Sequence, residues 1–280
     1  MQTATAGNRE PQPEVDGRKP GLTVGVVGKG GVGKTTVAGL LARAYADSGR
    51  RVVAIDTDSN PNLGLSLGLS LAETEAVPVL PRGVVVGTGG STSAADLIAE
   101  YGRPTPAGPT LLSAIKVTEA GAGCTCSGHA SVRSLLSDAL EDVDVTLVDM
   151  EAGLEHLSRS GGTLAHADVL LVVCEPTRKS VLTAARTATL ADELGIPRVL
   201  AVGNKVRGDE DAAFLGDALA ASGLQMTAML PYDPGVSEAD RQGDVSLTSP
   251  APEVARAVAA VIAGIDAADP VDPVDPVDPG

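Results

Sequence analysis

The sequence predicts a doubly wound α/β fold, with a mainly parallel sheet flanked by helices. Three observations point there. Short runs rich in Val, Leu and Ala alternate with segments of helical period, the pattern of strands joined by crossover helices. The first apolar run ends in a glycine-dense turn that leads straight into one of those helical segments. The composition is 43% hydrophobic with one Phe and no Trp, which suits a globular chain with an aliphatic core.

The elements follow in order. Residues 1–20 are polar, with scattered Pro and Gly and no apolar period, so a disordered N-terminal tail is expected. Residues 22–27 read as a buried strand, and 34–48 as the helix after it. Residues 51–55 form the second strand. Four more strands are expected at 143–149, 169–174, 199–204 and 225–230, and helices at 180–194, 209–221 and 252–265. The Gly-, Pro- and Ser-rich stretch from Leu63 to about Gly123 breaks the pattern; an insertion over the top of the sheet is expected, spanning about 64–128. The reading is therefore one domain, 21–266, followed by a disordered acidic tail, 267–280. That tail repeats Asp-Pro-Val, and each Pro removes a donor and restricts its predecessor, so no helix forms there.

Charge and composition exclude several roles. A formal net charge of −15 argues against nucleic acid, whose phosphates need a basic face. No run approaches the roughly 18 apolar residues of a membrane span, and no secretory leader opens the chain. The proline-broken tail rules out an amphipathic membrane-docking helix at that end. Three cysteines do not make a disulfide framework in a chain of 280 residues. A cytoplasmic protein with no nucleic-acid or membrane partner is expected.

The most specific signal is Gly28-Lys29-Gly30-Gly31-Val32-Gly33-Lys34-Thr35-Thr36, which satisfies G-x-x-x-x-G-K-[ST] between a strand and a helix. The glycines let successive backbone N–H groups turn inward onto phosphate oxygens, and the helix N-terminus adds its positive end. Lys34 would reach the β- and γ-phosphates and the Thr35 hydroxyl would ligate Mg²⁺. Lys29 is a second cation on the same loop. It reads either as a solvated loop lysine or as a charge aimed at the nucleotide of a facing subunit, in the manner of an arginine finger.

The block GKGGVGKTT resembles the deviant phosphate loop of the family that contains MinD, ParA, the nitrogenase iron protein and the arsenite-pump ATPase. The resemblance implies a SIMIBI-type P-loop ATPase, active as an ATP-sandwich homodimer in which Lys29 crosses to the partner's phosphates. After the second strand comes Asp56-Thr57-Asp58-Ser59-Asn60-Pro61-Asn62. Asp58 resembles the family's first-switch aspartate, which positions the Mg²⁺-bound or attacking water; the alternative is a turn or helix-capping carboxylate. Asn62 stands where the nitrogenase iron protein carries a further aspartate, so a base role there is in doubt, and Asp56 reads as structural. Val145-Thr146-Leu147-Val148-Asp149 has the Walker B form, with Asp149 behind the Mg²⁺. In the Met150-Glu151-Ala152-Gly153 that follows, Gly153 could let its amide approach the γ-phosphate. Asn204, followed by Lys205, resembles the family's adenine contact, and Pro231-Tyr232-Asp233 resembles the segment lining the other face of the base.

Gly123-Cys124-Thr125-Cys126 adds a pair of thiolates that could turn toward one metal. Two ligands are too few for a closed tetrahedral site, whereas a two-fold dimer would assemble four. The alternative is a pair of unremarkable loop thiols. His129 lies nearby and could assist or merely start a helix; Cys174 reads as a small core residue. With Glu155-His156-Leu157, these motifs resemble the CooC-type ATPases that mature carbon monoxide dehydrogenase, over roughly residues 22–265. The resemblance implies a dimer-interface Ni²⁺ or Zn²⁺ site at Cys124 and Cys126, ATP-driven closure and a metalloenzyme client. Three other classes share parts of this pattern: an iron–sulfur carrier or reductase, a ParA- or MinD-like positioning ATPase, and a regulator that senses nucleotide without turnover.

Overall fold

The apolar run expected to open the domain forms β1 (Leu22–Gly28), and the helix after the glycine turn is α1 (Lys34–Asp47). Both belong to a computed structural model that describes residues 21–81, 93–116, 131, 132, 135, 136, 142–150, 164, 166–242 and 250–267. The chain continues through β2 (Val52–Asp56), α2 (Leu63–Ser66), α3 (Leu71–Glu75), α4 (Ala94–Tyr101), β3 (Arg103–Pro104) and β4 (Thr110–Ser113). Then come β5 (Val145–Asp149), β6 (Val169–Cys174), α5 (Arg178–Glu193), β7 (Val199–Val206), α6 (Asp209–Ala221), β8 (Gln225–Pro231), α7 (Pro234–Gln242) and α8 (Pro252–Asp266).

The strands order as β3-β4-β2-β5-β1-β6-β7-β8. Only β3 runs antiparallel to its neighbour among the described strands. The connections after β1 lead to β2 and β5 on one side, and the chain then crosses to β6 on the other. The crevice for a ligand in such a sheet lies beyond the carboxyl ends of the strands at that reversal. The register brings the functional carboxylates to this edge: Asp56 pairs with Asp149, and Val26 with Asp149 from the other side.

Alternation along the strands builds a core on each face. Val24 and Val26 of β1 and Val169, Leu171 and Val173 of β6 pack with Leu41 of α1 and Val258 and Val261 of α8. Their sequence neighbours Val27, Leu170, Val172 and Cys174 face the opposite way, toward Val181 and Ala184 of α5. Both faces of the parallel strands are therefore covered, which is why they read as unbroken apolar runs instead of alternating ones. The C-terminal helix is fastened by polar contacts as well. The Arg198 guanidinium donates to the Ile265 and Gly264 carbonyls at 2.9 and 3.0 Å, and Arg50 reaches the Asp266 carboxylate at 2.8 Å.

The stretch after Leu63 differs from the expected insertion over the sheet in one respect. Thr110-Leu111-Leu112-Ser113 joins the sheet beside β2, in parallel register from Val53↔Thr110 to Asp56↔Ser113. Four residues among prolines and glycines are too short to stand out as an apolar run, yet Leu111 and Leu112 are buried by the strand next to them. Among its described residues the segment also contributes three short helices, two of which open with capping boxes, Ser70 with Glu73 and Ser93 with Asp96.

Leu41 is fully buried between α1 and the sheet. Leu41→Ala should lower unfolding free energy by about 2–5 kcal/mol, read as a lower urea midpoint with unchanged slope.

Candidate functional site

The site begins where β1 ends. Gly28, with φ 149°, turns the chain out of the sheet; a Cβ there would lie 2.5 Å from the Val173 carbonyl of β6. Gly31 and Gly33 take left-handed φ of 83° and 93°, which a glycine adopts without strain. Val32, fully buried, pins the middle of the turn to the core. The loop thus curls tightly enough for Lys34 and Thr35 to begin α1 with their side chains over the sheet edge.

Asp149 comes up from β5 to meet them. It is buried, it shares a side-chain hydrogen bond with Thr35, and its Oδ1 has no partner among the described residues. Burial and the neighbouring Asp56 raise its pKa to about 8, against the pull of the Thr35 hydrogen bond and the Lys34 charge. Asp56 is raised to about 6, chiefly by burial, while backbone donors from Leu63, Asp58 and Asn62 work the other way. Lys34 is 8% exposed and lies in the field of Asp149. A lysine, a threonine hydroxyl and an unsatisfied buried carboxylate oxygen therefore converge at a helix N-terminus. That donor set fits a hard divalent cation beside an anion: Thr35 and the Asp149 oxygen would suit the cation, and Lys34 the anion.

Asp58 is half-buried at the rim of this edge. Its backbone N–H donates to Asp56 Oδ1 at 3.0 Å, and its own Oδ1 accepts from the Asn60 amide at 2.9 Å. The carboxylate thus takes part in the turn, as the plainer sequence reading allowed, while remaining beside the phosphate loop. Lys29 is half-buried on the crown of the loop and its side chain makes no hydrogen bond or ion pair among the described residues.

The ends of β7 and β8 form the far wall. The Asn204 amide Nδ2 donates to the Val32 carbonyl at 2.8 Å, and Lys205 Nζ donates to the Gly31 carbonyl, 3.9 Å from the Glu175 carboxylate. Lys205 has φ 59°, an unusual backbone for a lysine. Both side chains, singled out for a base, here hold the back of the phosphate loop by its Val32 and Gly31 carbonyls. Pro231 pairs with Val206, and the Tyr232 amide donates to the Val206 carbonyl at 2.8 Å. The Tyr232 ring is 40% exposed and lies under the Arg207 guanidinium, 4.7 Å from ring centroid to Cζ. Asp233 accepts from the Gly235 amide at 2.8 Å.

Sequence reasoning passed over Arg207, Glu175 and Thr57 and gave Asp56 only a structural role. Thr57 is fully buried and binds the Asp149 carbonyl through both its amide and its hydroxyl, at 3.0 and 2.9 Å. The signal available for Asp56 was two carboxylates at i and i+2 directly after an apolar strand. Cys124, Cys126, His129, Gly153 and Glu155-His156-Leu157 lie outside the described residues. Among the described residues no three His, Cys, Asp or Glu side chains gather as a metal site. Cys174 is fully buried in β6, where burial pushes its thiol up to about 11, in keeping with a core residue.

Comparison with known proteins agrees with this geometry. The profile of the CobQ/CobB/MinD/ParA nucleotide binding domain matches residues 24–247. The chain is 37% identical over 237 residues to the carbon monoxide dehydrogenase accessory protein CooC of Rhodospirillum rubrum, covering 79% of this chain and 88% of that protein. It is 36% identical to an uncharacterized ATP-binding protein of Methanocaldococcus jannaschii, covering 79% and 90%. In three dimensions it resembles the septum site-determining protein MinD of Pyrococcus horikoshii, complexed with Mg-ADP, with a TM-score of 0.64 at 20% identity, covering 88% of this chain and 96% of that one. The phosphate loop at the end of β1, the acidic ends of β2 and β5 and these matches together place the chain in the CobQ/CobB/MinD/ParA family of P-loop nucleotide-binding proteins.

Proposed function

We propose that this chain hydrolyses Mg·ATP as a homodimeric switch that matures a metalloenzyme, by delivering nickel to an enzyme of the carbon monoxide dehydrogenase type. The observation that carries the hydrolytic part is the buried Asp149 carboxylate, which shares a hydrogen bond with Thr35 at the start of α1, feels the Lys34 charge and keeps its Oδ1 unpartnered among the described residues. The maturation part draws support from the 37% identity to CooC and from the Cys124-x-Cys126 pair.

In this reading the loop from Gly28 to Thr36 takes the triphosphate, with its N–H groups and Lys34 against the oxygens. Thr35, with Asp149 behind it, would hold a magnesium ion, which would supply neutralisation of the phosphate charge. Asp58 orients the attacking water, and Lys29 of each subunit reaches the nucleotide of its partner, where it offsets charge that develops at transfer. The base occupies the edge near Asn204, Lys205 and the Pro231-Tyr232-Asp233 segment. Gly153 presents its amide to the γ-phosphate. Loss of that phosphate relaxes the segments around Asp58 and Gly153 and opens the dimer. The four thiolates from two copies of Cys124 and Cys126 hold Ni²⁺ or Zn²⁺ as cargo, and opening changes their geometry so that the ion passes to the client.

A second reading has one feature in its favour. Four interface thiolates also suit a [4Fe–4S] cluster, which would make the protein an iron–sulfur carrier or reductase component. Anaerobically purified protein that is brown, with iron and sulfide, supports that reading; colourless protein with Ni or Zn supports maturation.

Three measurements test the proposal. Lys34→Ala should lower kcat for ATP at least about 100-fold, and wild-type turnover would refute the phosphate-loop assignment. Cys124→Ala should reduce the metal content of the dimer while Mg·ADP affinity stays as in the parent, and undiminished metal would remove the interface site. The third uses pH. Asp149 holds its proton to about 8 in the folded chain, whereas an unfolded aspartate loses it near pH 4. Between those values the folded state binds more protons, so stability falls as pH rises. In magnesium-free buffer the urea midpoint should therefore decline from about pH 5 to 8, and Asp149→Asn should flatten that decline and raise the midpoint at the alkaline end.

A further inference from the structure

We propose that Asp56 is a positioning residue for hydrolysis, one whose two carboxylate oxygens fasten both ends of the segment that carries Asp58. The inference rests on the reading of Asp58 as the residue that orients water. Asp56 Oδ1 accepts from the Asp58 amide at 3.0 Å, and Oδ2 accepts from the Leu63 amide at 2.9 Å, with the Asn62 amide also directed at the carboxylate. Asp56 itself is 1% exposed. Leu63, at the far end of the segment, is fully buried in the core against α1. Thr57, at the near end, is tied to the Asp149 carbonyl by its amide and its hydroxyl. Asp58 is thus slung between two anchored points, one of them the strand that carries Asp149.

The choice of side chain follows from the donors. Backbone N–H groups approach both oxygens, so the position requires two acceptors and no donor. An asparagine offers one acceptor, and its NH₂ would face an N–H. Burying a carboxylate beside a second one is costly, and register makes Asp149 its immediate neighbour. A mere turn cap at this point could be made by a neutral hydroxyl or amide on the surface. The arrangement is explained if the carboxylate couples the Asp58 segment to the strand of Asp149, so that displacement of either moves the other.

The test is Asp56→Asn in the full chain, assayed with Mg·ATP. The kcat is expected to fall about 10–100-fold, as misplacement of a water-orienting group by an ångström does. Mg·ADP affinity and the Mg²⁺ concentration for half-maximal rate should stay as in the parent, and amide exchange at 57–63 should accelerate. In an Asp58→Ala background the same substitution should add little further loss, because Asp56 acts through Asp58. An unchanged kcat per folded molecule, with only a lower melting temperature, would overturn the proposal. So would a shift in Mg²⁺ dependence that parallels the loss of rate, since Asp56 would then touch the metal. If Asp56→Asn fails to fold, the wild-type chain still decides: slow exchange of the Asp58 and Leu63 amides is required, and rapid exchange there refutes the anchoring. Wild-type turnover by Asp58→Ala alone would instead remove the reading of Asp58, with the phosphate-loop assignment still judged separately at Lys34.

Discussion

At the carboxyl end of β5 the Asp149 carboxylate sits in a dry place with one oxygen unmatched among the described residues. Desolvation there opposes ionisation, and the adjacent Asp56 opposes it further. A protein that only needed to be stable would put a neutral or apolar group at that position. The elements around it make sense as a response to the same constraint. Thr35 and Lys34 come to it from α1, and the glycine turn exists to deliver them there, since Gly28, Gly31 and Gly33 take backbone angles that side chains disfavour. The site stores unfavourable electrostatics that a cation and a polyanion together relieve.

The phosphate loop is supported from behind as well as filled from in front. Asn204 and Lys205, at the end of β7, bond to the carbonyls of Val32 and Gly31, so the end of β7 and the glycine loop share their contacts. A side chain at Gly33 would strike the Asn204 amide at 2.4 Å, which shows how closely the two walls meet. On the opposite side, Thr57 and Asp56 bind the segment after β2 to the strand of Asp149. The strands of the sheet thus act as rigid posts, and the three loops between them are linked by side chain to backbone bonds. Under the proposed switch, loops joined in this way would change together when one phosphate leaves.

Much of this was legible in the residues. The doubly wound sheet followed from apolar runs separated by helical periods, because strands buried on both faces have no reason to alternate. Gly28 through Thr36 was legible since phosphate binding demands a fixed spacing of glycines, lysine and hydroxyl. Asp149 was legible as an acid ending a buried strand. Strand β4 was hidden because four residues among prolines carry no period, and only its neighbour β2 makes it a strand. The hold of Asn204 and Lys205 on the loop was hidden for another reason: sequence places a side chain at a strand end but does not say which way its donors point. Asp56 and Asp58 look alike in sequence, two carboxylates in one turn. Burial separates them, and burial depends on the long-range fit of β2 between β4 and β5.

The edge above β1, β2 and β5 is expected to receive a magnesium-bound triphosphate. Calorimetric titration of Mg·ATP into the full-length chain tests this directly, alongside the same titration into Asp149→Asn. Saturable heat with the parent, weakened when magnesium is chelated and in the Asp149→Asn chain, is the expected result. Absence of binding heat from the parent, or identical heats with and without magnesium, would contradict it.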